Sequence, residues 1–277
     1  MNLIVLQPFE RYIFKLDFLG LNLGATWYGL MYAISFFLGY FILIYWSKKG
    51  KIKLKYDDVL DIVLFVFFGV ILGGRIGYVI FYNLPYYLEN PAKIFAVWEG
   101  GMSFHGGLIG VLVAIAIYSS IKRYYLFDIL DLLSILVPIG LGLGRIGNFI
   151  NQELYGRVAQ NLPWAMVFPT DPLRLPRHPS QLYEFLLEGV VLFSIMWYTK
   201  DKKLPVGIRS SVFAIFYSIF RIIVEFFREP DPQIGYILGF LTMGQILSFI
   251  LLIFGLGLYF YFNSKNIQSK IMVYKKS

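Results

Sequence analysis

Seven apolar runs, each about twenty residues long, constrain this chain more than any other feature. They lie at about 25–46, 59–82, 104–121, 129–150, 182–199, 208–227 and 241–262. A helix rises about 1.5 Å per residue, so about twenty residues cross a hydrocarbon core about 30 Å thick. Lipid offers no partner to backbone N–H and C=O groups, so such runs must satisfy them internally as helices. The expected fold is therefore an all-α integral membrane protein with seven transmembrane helices. Residues 1–277 form a single polytopic membrane domain in this reading. Charged residues make up only 15% of the chain, against about 25% in soluble domains.

The positive charges set the orientation. Lys48, Lys49, Lys51, Lys53 and Lys55 follow the first run, Lys122 and Arg123 follow the third, and Lys200, Lys202 and Lys203 follow the fifth. Lys265, Lys270, Lys275 and Lys276 follow the last. Placing these clusters in the cytoplasm puts fourteen Lys and Arg inside and six outside, with five arginines in or at the ends of runs. By the positive-inside rule the N-terminus is outside and the C-terminus cytoplasmic. Residues 1–23 read as an interfacial segment on the membrane surface, with no signal-peptide pattern. The proline-rich stretch 151–179 reads as a small extracytoplasmic cap. The net charge of +8 belongs to these clusters, so it implies membrane lipids as partners and no nucleic acid. The chain has no cysteine and two histidines, His105 and His178. That leaves no disulfide, no resident thiol nucleophile and little to build a metal site from.

Polar groups within the runs are the exceptions that need explaining. Arg75, Arg145, Asn148 and Arg221 stand inside apolar segments, and His105 opens one. An arginine at the bilayer centre costs roughly 2.5 kcal/mol or more, so it marks a ligand, a pathway or a buried partner. Counting helical rise from the outer ends places Arg145 about 7 Å deep and Arg221 about 9 Å deep. Arg75, His105 and Tyr28 fall in the same outer half. Tyr217, Arg221, Glu225 and Arg228 are spaced by four, four and three and share one helix face. Glu225 can pair with Arg221 or Arg228. The expected site is a cationic pocket with an acidic brace, suited to an anionic lipid head group. Each residue taken singly has a structural reading: Arg75 on helix-end carbonyls, Tyr217 in packing, His105 as a cap, Asn151 and Glu153 ordering the loop. The set at one depth points to a ligand.

Two other classes of function fit less well. A solute transporter needs a polar path through both leaflets and repeated halves, and neither is evident. A lipid phosphatase or phosphotransferase usually needs a phosphate-accepting histidine or a metal-binding carboxylate cluster. Gly142, Gly144 and Gly147 match G-x-G-x-x-G, but the dinucleotide fingerprint needs a preceding strand and a soluble helix. Inside a membrane run these glycines suit close helix packing.

With these residues set out, the chain resembles the bacterial prolipoprotein diacylglyceryl transferases over nearly its whole length. The resemblance rests on Gly144-Arg145-Ile146-Gly147-Asn148-Phe149-Ile150-Asn151-Gln152-Glu153-Leu154-Tyr155-Gly156. It is carried further by Trp27-Tyr28-Gly29-Leu30, Gly73-Gly74-Arg75, Ser103-Phe104-His105-Gly106-Gly107 and Arg177-His178-Pro179-Ser180-Gln181-Leu182-Tyr183-Glu184. Glu225-Phe226-Phe227-Arg228-Glu229-Pro230-Asp231 and Leu241-Thr242-Met243-Gly244-Gln245 complete the set.

The resemblance implies a reaction without a cofactor in the bacterial cytoplasmic membrane, on a site facing the outer leaflet. The diacylglyceryl group of phosphatidylglycerol would pass to the lipobox cysteine of a preprolipoprotein, releasing glycerol 1-phosphate. Arg145 and Arg221 would bind the lipid phosphate and stabilise the leaving group, and His105 would serve as general base or orient one. Tyr28, Asn148, Glu153 and Gly156 match positions the family treats as essential, while Arg75 lies in a family motif. Tyr217, Glu225 and Arg228 would support Arg221.

Overall fold

The computed structural model describes residues 4–10, 12–18, 21–97, 100–230, 236–237 and 239–274. In chain order come strands β1 (Ile4–Val5), β2 (Tyr12–Phe18) and β3 (Leu21–Thr26), then helices α1 (Trp27–Lys48), α2 (Tyr56–Tyr82) and α3 (Leu84–Glu89). Helices α4 (Phe104–Lys122) and α5 (Leu126–Ile150) follow, then strands β4 (Met166–Val167) and β5 (Pro176–Arg177). One continuous helix, Ser180–Thr199, is built from α6 (Ser180–Glu184), a π-helical stretch (Phe185–Val191) and α7 (Leu192–Thr199). Helix α8 (Ile208–Glu225), strands β6 (Tyr236–Ile237) and β7 (Leu241–Thr242), and helix α9 (Met243–Lys265) complete the order.

The protein is mostly helical. Among the described residues, six helices are long and apolar enough to cross a membrane: α1, α2, α4, α5, Ser180–Thr199 and α9. Helix α8 occupies the sixth apolar run but carries Arg209, Arg221 and Glu225 within 18 residues.

The all-α expectation needs amending at the edges, where three small sheets occur. Residues 12–18 place Tyr, Phe, Leu and Phe at every second position, the period of a strand. They pair antiparallel with β3, Lys15 opposite Gly24. The segment expected at the membrane surface is thus a hairpin, its residues 11, 19 and 20 lying outside the described ones. Pairing of Thr26 with Tyr12 delays the first helix to Trp27. The Thr26 hydroxyl then accepts the Gly29 N–H at 3.0 Å, as a helix N-cap does. Strands β1, β4 and β5 form a three-stranded sheet.

The chain divides into two compact units, and α1 and α5 each run from one into the other. The first holds Met1–Phe37 and Asp131–Gln268, the second Leu38–Leu130 and Ser269–Ser277.

In the second unit, α2 and α4 pack through glycines. A Cβ on Gly73 would meet the Gly106 carbonyl at 2.4 Å, and one on Gly110 would meet the Gly69 carbonyl at 2.2 Å. Small residues every fourth position bring the two backbones together. Arg75, two residues after Gly73, is buried. Its Nε donates to the Ile94 carbonyl at 2.8 Å, and its other nitrogens donate to the carbonyls of Lys93, Gly100 and Gly101. At the unit's other end Lys122 pairs with Asp58 at 3.2 Å and Asp61 at 2.8 Å. The tail closes on the loop after α1: Lys53 donates to the Ile271 carbonyl at 2.8 Å and Val273 to that of Lys51 at 2.9 Å.

In the first unit, α8 packs on α9, and Asp131 of α5 caps the start of α8. Its carboxylate accepts the N–H groups of Gly207 and Ser210, both at 2.8 Å, and the Ser210 hydroxyl at 2.7 Å. Gly207, at φ 89°, takes a left-handed turn there.

We predict that Gly73→Val lowers the thermal midpoint of the purified protein, because overpacking costs about 1–3 kcal/mol. Gly39→Ala, on a helix position with nothing within 4 Å, should leave the midpoint unchanged or raise it by up to about 1 kcal/mol of stability. Equal midpoints for Gly73→Val and the parent would contradict the glycine packing.

Candidate functional site

The site grows from the end of α5. Helix α5 comes close to Ser180–Thr199 at Gly142, where an added Cβ would lie 3.0 Å from the Gly189 Cα. That contact fixes Arg145, one turn further along, against the acids beside Gly189. Its Nε lies 3.3 Å from Glu184 Oε2 and its Nη2 lies 3.4 Å from Glu188 Oε2. Arg221 reaches the same carboxylates from α8: Nη1 pairs closely with Glu184 Oε1 and lies 3.8 Å from Glu188 Oε1. Its Nη2 pairs with Glu225 at 2.9 Å, one turn along the same helix. Arg228 adds a third guanidinium, 3.4 Å from Glu184 Oε1.

Glu184 is therefore a hub joining three arginines from two separate elements. Its side chain and that of Glu188 are 0% exposed, while Arg145 and Arg221 keep 16% and 13%. Among the described residues, three guanidinium groups face three carboxylates, so these six side chains balance in formal charge. A charge left alone in an apolar interior costs several kcal/mol, which is why each cation has an anion beside it. Where a cationic pocket was expected, the described side chains form a balanced array in which Arg145, Arg221 and Arg228 keep 16%, 13% and 11% of their side-chain surface exposed.

The brace of Glu225 is also built. The Thr242 hydroxyl donates to Glu225 Oε1 at 2.9 Å. A Cβ on Gly244 would meet the Glu225 carboxylate at 2.7 Å, so glycine is required for that approach. Tyr217, one turn before Arg221, stacks on Phe213 with ring centroids 5.9 Å apart.

The loop after α5 holds the rest. Asn148 donates to Glu153 Oε1 at 2.9 Å, and Asn151 donates to the same oxygen at 3.4 Å. Gln152 and Leu154 adopt left-handed φ of 57° and 58°, a conformation costly for residues with a side chain. Hydrogen bonds hold it: Gln181 donates to the Glu153 carbonyl at 2.7 Å and the Ser180 hydroxyl to that of Leu154 at 3.0 Å. Gly156 then pairs with Arg228 in an isolated bridge and donates to the His178 carbonyl at 2.8 Å. A Cβ there would lie 2.3 Å from the Phe227 carbonyl. Gly156 thus fixes the backbone that carries Arg228. Tyr28 lies beside Gly147, where a Cβ would come 2.7 Å from its ring, and its hydroxyl is 3.3 Å from that of Tyr32.

The first unit so gathers Tyr28, Arg145, Asn148, Glu153, Gly156, Tyr217, Arg221, Glu225 and Arg228. Arg75 and His105 belong to the second unit. There Arg75 holds the carbonyls of Lys93, Ile94, Gly100 and Gly101, with Tyr87 under its guanidinium at 5.1 Å. His105 is exposed on the first turn of α4, edge-on to Phe104 with centroids 5.7 Å apart. Among the described residues no three His, Asp or Glu side chains gather as a metal site would require.

The family model for prolipoprotein diacylglyceryl transferase matches residues 17–261. The chain belongs to the prolipoprotein diacylglyceryl transferase family. It is similar to the phosphatidylglycerol–prolipoprotein diacylglyceryl transferase of Geobacter sulfurreducens, 51% identical over 236 residues, covering 85% of this chain and 90% of that one. The enzyme of the same name from Francisella tularensis subsp. mediasiatica is 52% identical over 231 residues, covering 83% and 85%. That of Buchnera aphidicola is 46% identical over 257 residues, covering 84% and 90%.

Sequence reasoning about this transferase family member assigned no role to Glu184 or Glu188. The signal was present, since they are the two acids in the run 182–199, which holds no base. The rule that picked out the membrane arginines applies equally to acids. The 151–179 stretch has its own ion pair. Asp171 takes the Arg177 Nε at 2.7 Å and Nη2 at 3.1 Å. Burial pushes the Asp171 carboxyl up, but Arg177 and the N–H groups of Leu173 and Leu175 outweigh it and hold it below its ordinary 3.8. Burial and the nearby Arg157 push His178 down, leaving it neutral at pH 7.

Two predictions follow from the pairing itself. Glu184→Ala removes the carboxylate shared by three guanidinium groups and should cost about 3–5 kcal/mol, read as a lowered thermal midpoint; an unchanged midpoint would refute the hub. Because the folded pKa of Asp171 is depressed, its stabilisation is complete above about pH 4 and is lost as pH falls through the folded value. Amide exchange in residues 171–177, corrected for its intrinsic rate, should quicken below pH 4 in the parent and lose that dependence in Asp171→Asn.

Proposed function

We propose that this chain transfers the diacylglyceryl group of phosphatidylglycerol to the cysteine thiol of a prolipoprotein, the first step of bacterial lipoprotein maturation. Family membership supports the activity. The observation that carries the site is the convergence of two partly reachable arginines, Arg145 and Arg221, on one fully buried glutamate. Guanidinium groups bind phosphate through charge-assisted hydrogen bonds, bidentate where geometry allows. The chain's lack of cysteine fits a reaction whose sulfur comes from the substrate.

The step balances as a displacement. The thiol, with a pKa near 8.5, loses its proton to a base. The sulfur forms a bond to the terminal glycerol carbon of the diacylglyceryl group, and that carbon's bond to the phosphate oxygen breaks. The electron pair leaves on the phosphate, so glycerol 1-phosphate departs as its anion. Charge grows on the phosphate in the transition state, and Arg145 and Arg221 are placed by Glu184 and Glu225 to stabilise it. His105 is the proposed proton acceptor, or orients one, on the family resemblance, an imidazole being a common general base. Tyr28, Asn148, Glu153 and Gly156 shape the lipid site in this proposal, and Arg75 contributes by holding its loop.

The proposed topology has seven crossings, with α8 as the sixth in order. Its 18 residues span about 27 Å, and its charges face partners within the protein, which lowers their cost in lipid. The N-terminus and the 151–179 cap lie outside the bacterial cytoplasmic membrane, the C-terminus inside, and the site opens to the outer leaflet.

Incubation of the purified protein with phosphatidylglycerol and a lipobox peptide should add one diacylglyceryl mass to the cysteine. No mass gain would end this reading. Arg221→Ala and His105→Ala should reduce transfer by about 100-fold or more while the protein still inserts; full activity in either removes that residue from the mechanism. Because the parent is cysteine-free, Gln160→Cys should react with an impermeant maleimide in intact spheroplasts. Lys203→Cys should react only after permeabilisation, and the reverse pattern would invert the topology.

A further inference from the structure

The six charges of the cluster do not hold one another equally, and Glu188 is the weak member. Glu184 touches Arg145, Arg221 and Arg228. Glu225 has both Arg221 at 2.9 Å and the Thr242 hydroxyl at 2.9 Å. Glu188 has one hydrogen bond, from Arg145 at 3.4 Å, and a distant charge contact to Arg221 at 3.8 Å. Its Oε1 is buried with no hydrogen-bond partner, as are Glu184 Oε2 and Glu225 Oε2, so what sets Glu188 apart is the length and number of its contacts. A buried carboxylate oxygen without a hydrogen bond costs about 1–3 kcal/mol or more. Glu188 also lies in the π-helical stretch Phe185–Val191, a local widening that recurs at functional positions.

A neutral cluster has no surplus charge for a phosphate. An anion that enters must take guanidinium donors from a carboxylate already using them. The loosest contacts in the cluster are those to Glu188: Arg145 Nη2 at 3.4 Å, and at 3.8 Å an Arg221 Nη1 that already pairs closely with Glu184. Arg145 and Arg221 keep 16% and 13% of their side-chain surface exposed, slightly more than the 11% of Arg228.

The geometry points to Glu188 as an internal stand-in for the lipid phosphate: a positioning residue that occupies Arg145 and Arg221 between turnovers and yields them to the anionic head group. The assignment rests on the proposed transferase reading and deepens it. Glu188 then sets two opposed quantities. It weakens phosphatidylglycerol binding by competing for the same donors. It speeds loss of glycerol 1-phosphate by reclaiming them.

The test is Glu188→Gln, close in shape but without the charge, with steady-state kinetics on phosphatidylglycerol and a lipobox peptide. The competing anion is gone, so KM for phosphatidylglycerol should fall about tenfold, as should the inhibition constant of free glycerol 1-phosphate, the scale of one close charge pair. Turnover should fall as release slows. Glu188→Asp, whose carboxylate reaches less far, should move KM the same way by about threefold. A purely structural glutamate would instead lower kcat and stability together and leave KM and product inhibition alone. KM unchanged or raised in a folded Gln or Asp variant overturns the proposal. Unfolding of both variants also overturns it, since a residue that gives up its contacts to a ligand cannot be one the fold depends on. A parent protein that transfers nothing overturns both this and the transferase reading, whereas an active parent with an unaltered Glu188→Gln overturns this alone.

Discussion

Charges taken out of water must find opposite charges, and the Glu184 carboxylate is where this chain meets that demand. In an apolar interior the gain from pairing repays desolvation only if geometry is good and further hydrogen bonds are made. Glu184 satisfies this by serving Arg145, Arg221 and Arg228 at once. Much of the nearby sequence exists to bring these partners into reach. Gly142 and Gly189 let two helices touch, Gly244 lets α9 pass the Glu225 carboxylate, and Gly156 lets the loop lie against the Arg228 backbone. In each place a methyl group would push apart charges that are stable only together.

Four other buried charges are used differently, on backbone groups. Asp131 takes N–H groups at the start of α8. Arg209 donates to the Thr199 and Lys202 carbonyls at the end of the preceding helix. Asp128 takes the Lys270 N–H at 2.9 Å, and Arg75 takes the carbonyls of a loop. Helix and loop ends leave N–H and C=O groups without partners, and the penalty is high where water is scarce. An arginine in an apolar run can therefore serve an anion or a chain end, and its spacing alone does not distinguish these uses.

This explains what could be read from the residues. Helix positions were legible because a bilayer demands long apolar runs, and α2, α4 and α5 lie within three residues of the runs that foretold them. The hairpin at 12–26 was less so, because its alternating pattern is short and precedes a helix with no break in polarity. Arg145, Arg221 and Glu225 stood out by their charge and spacing. Glu184 and Glu188 stood in equally plain view, yet attention to phosphate binding favoured cations. That Arg75 spends its donors on carbonyls was beyond the sequence, since it depends on a loop that curls back through Gly100 and Gly101, both at positive φ.

A site for a lipid phosphate in a membrane protein faces a contradiction. It needs positive charge to bind the anion and to stabilise the leaving group, yet naked positive charge would oppose insertion and folding in lipid. Permanent neutralisation would fold well and bind nothing. Neutralisation by carboxylates of graded hold resolves the conflict. Glu184 and Glu225 keep the guanidinium planes in place through close and multiple contacts. Glu188, held by one long hydrogen bond, completes the neutrality that folding requires at a position a better anion can contest. In the proposed reaction, preorganised donors would cost little reorganisation when charge develops on the phosphate, because the folded chain has already aligned them around carboxylates of its own.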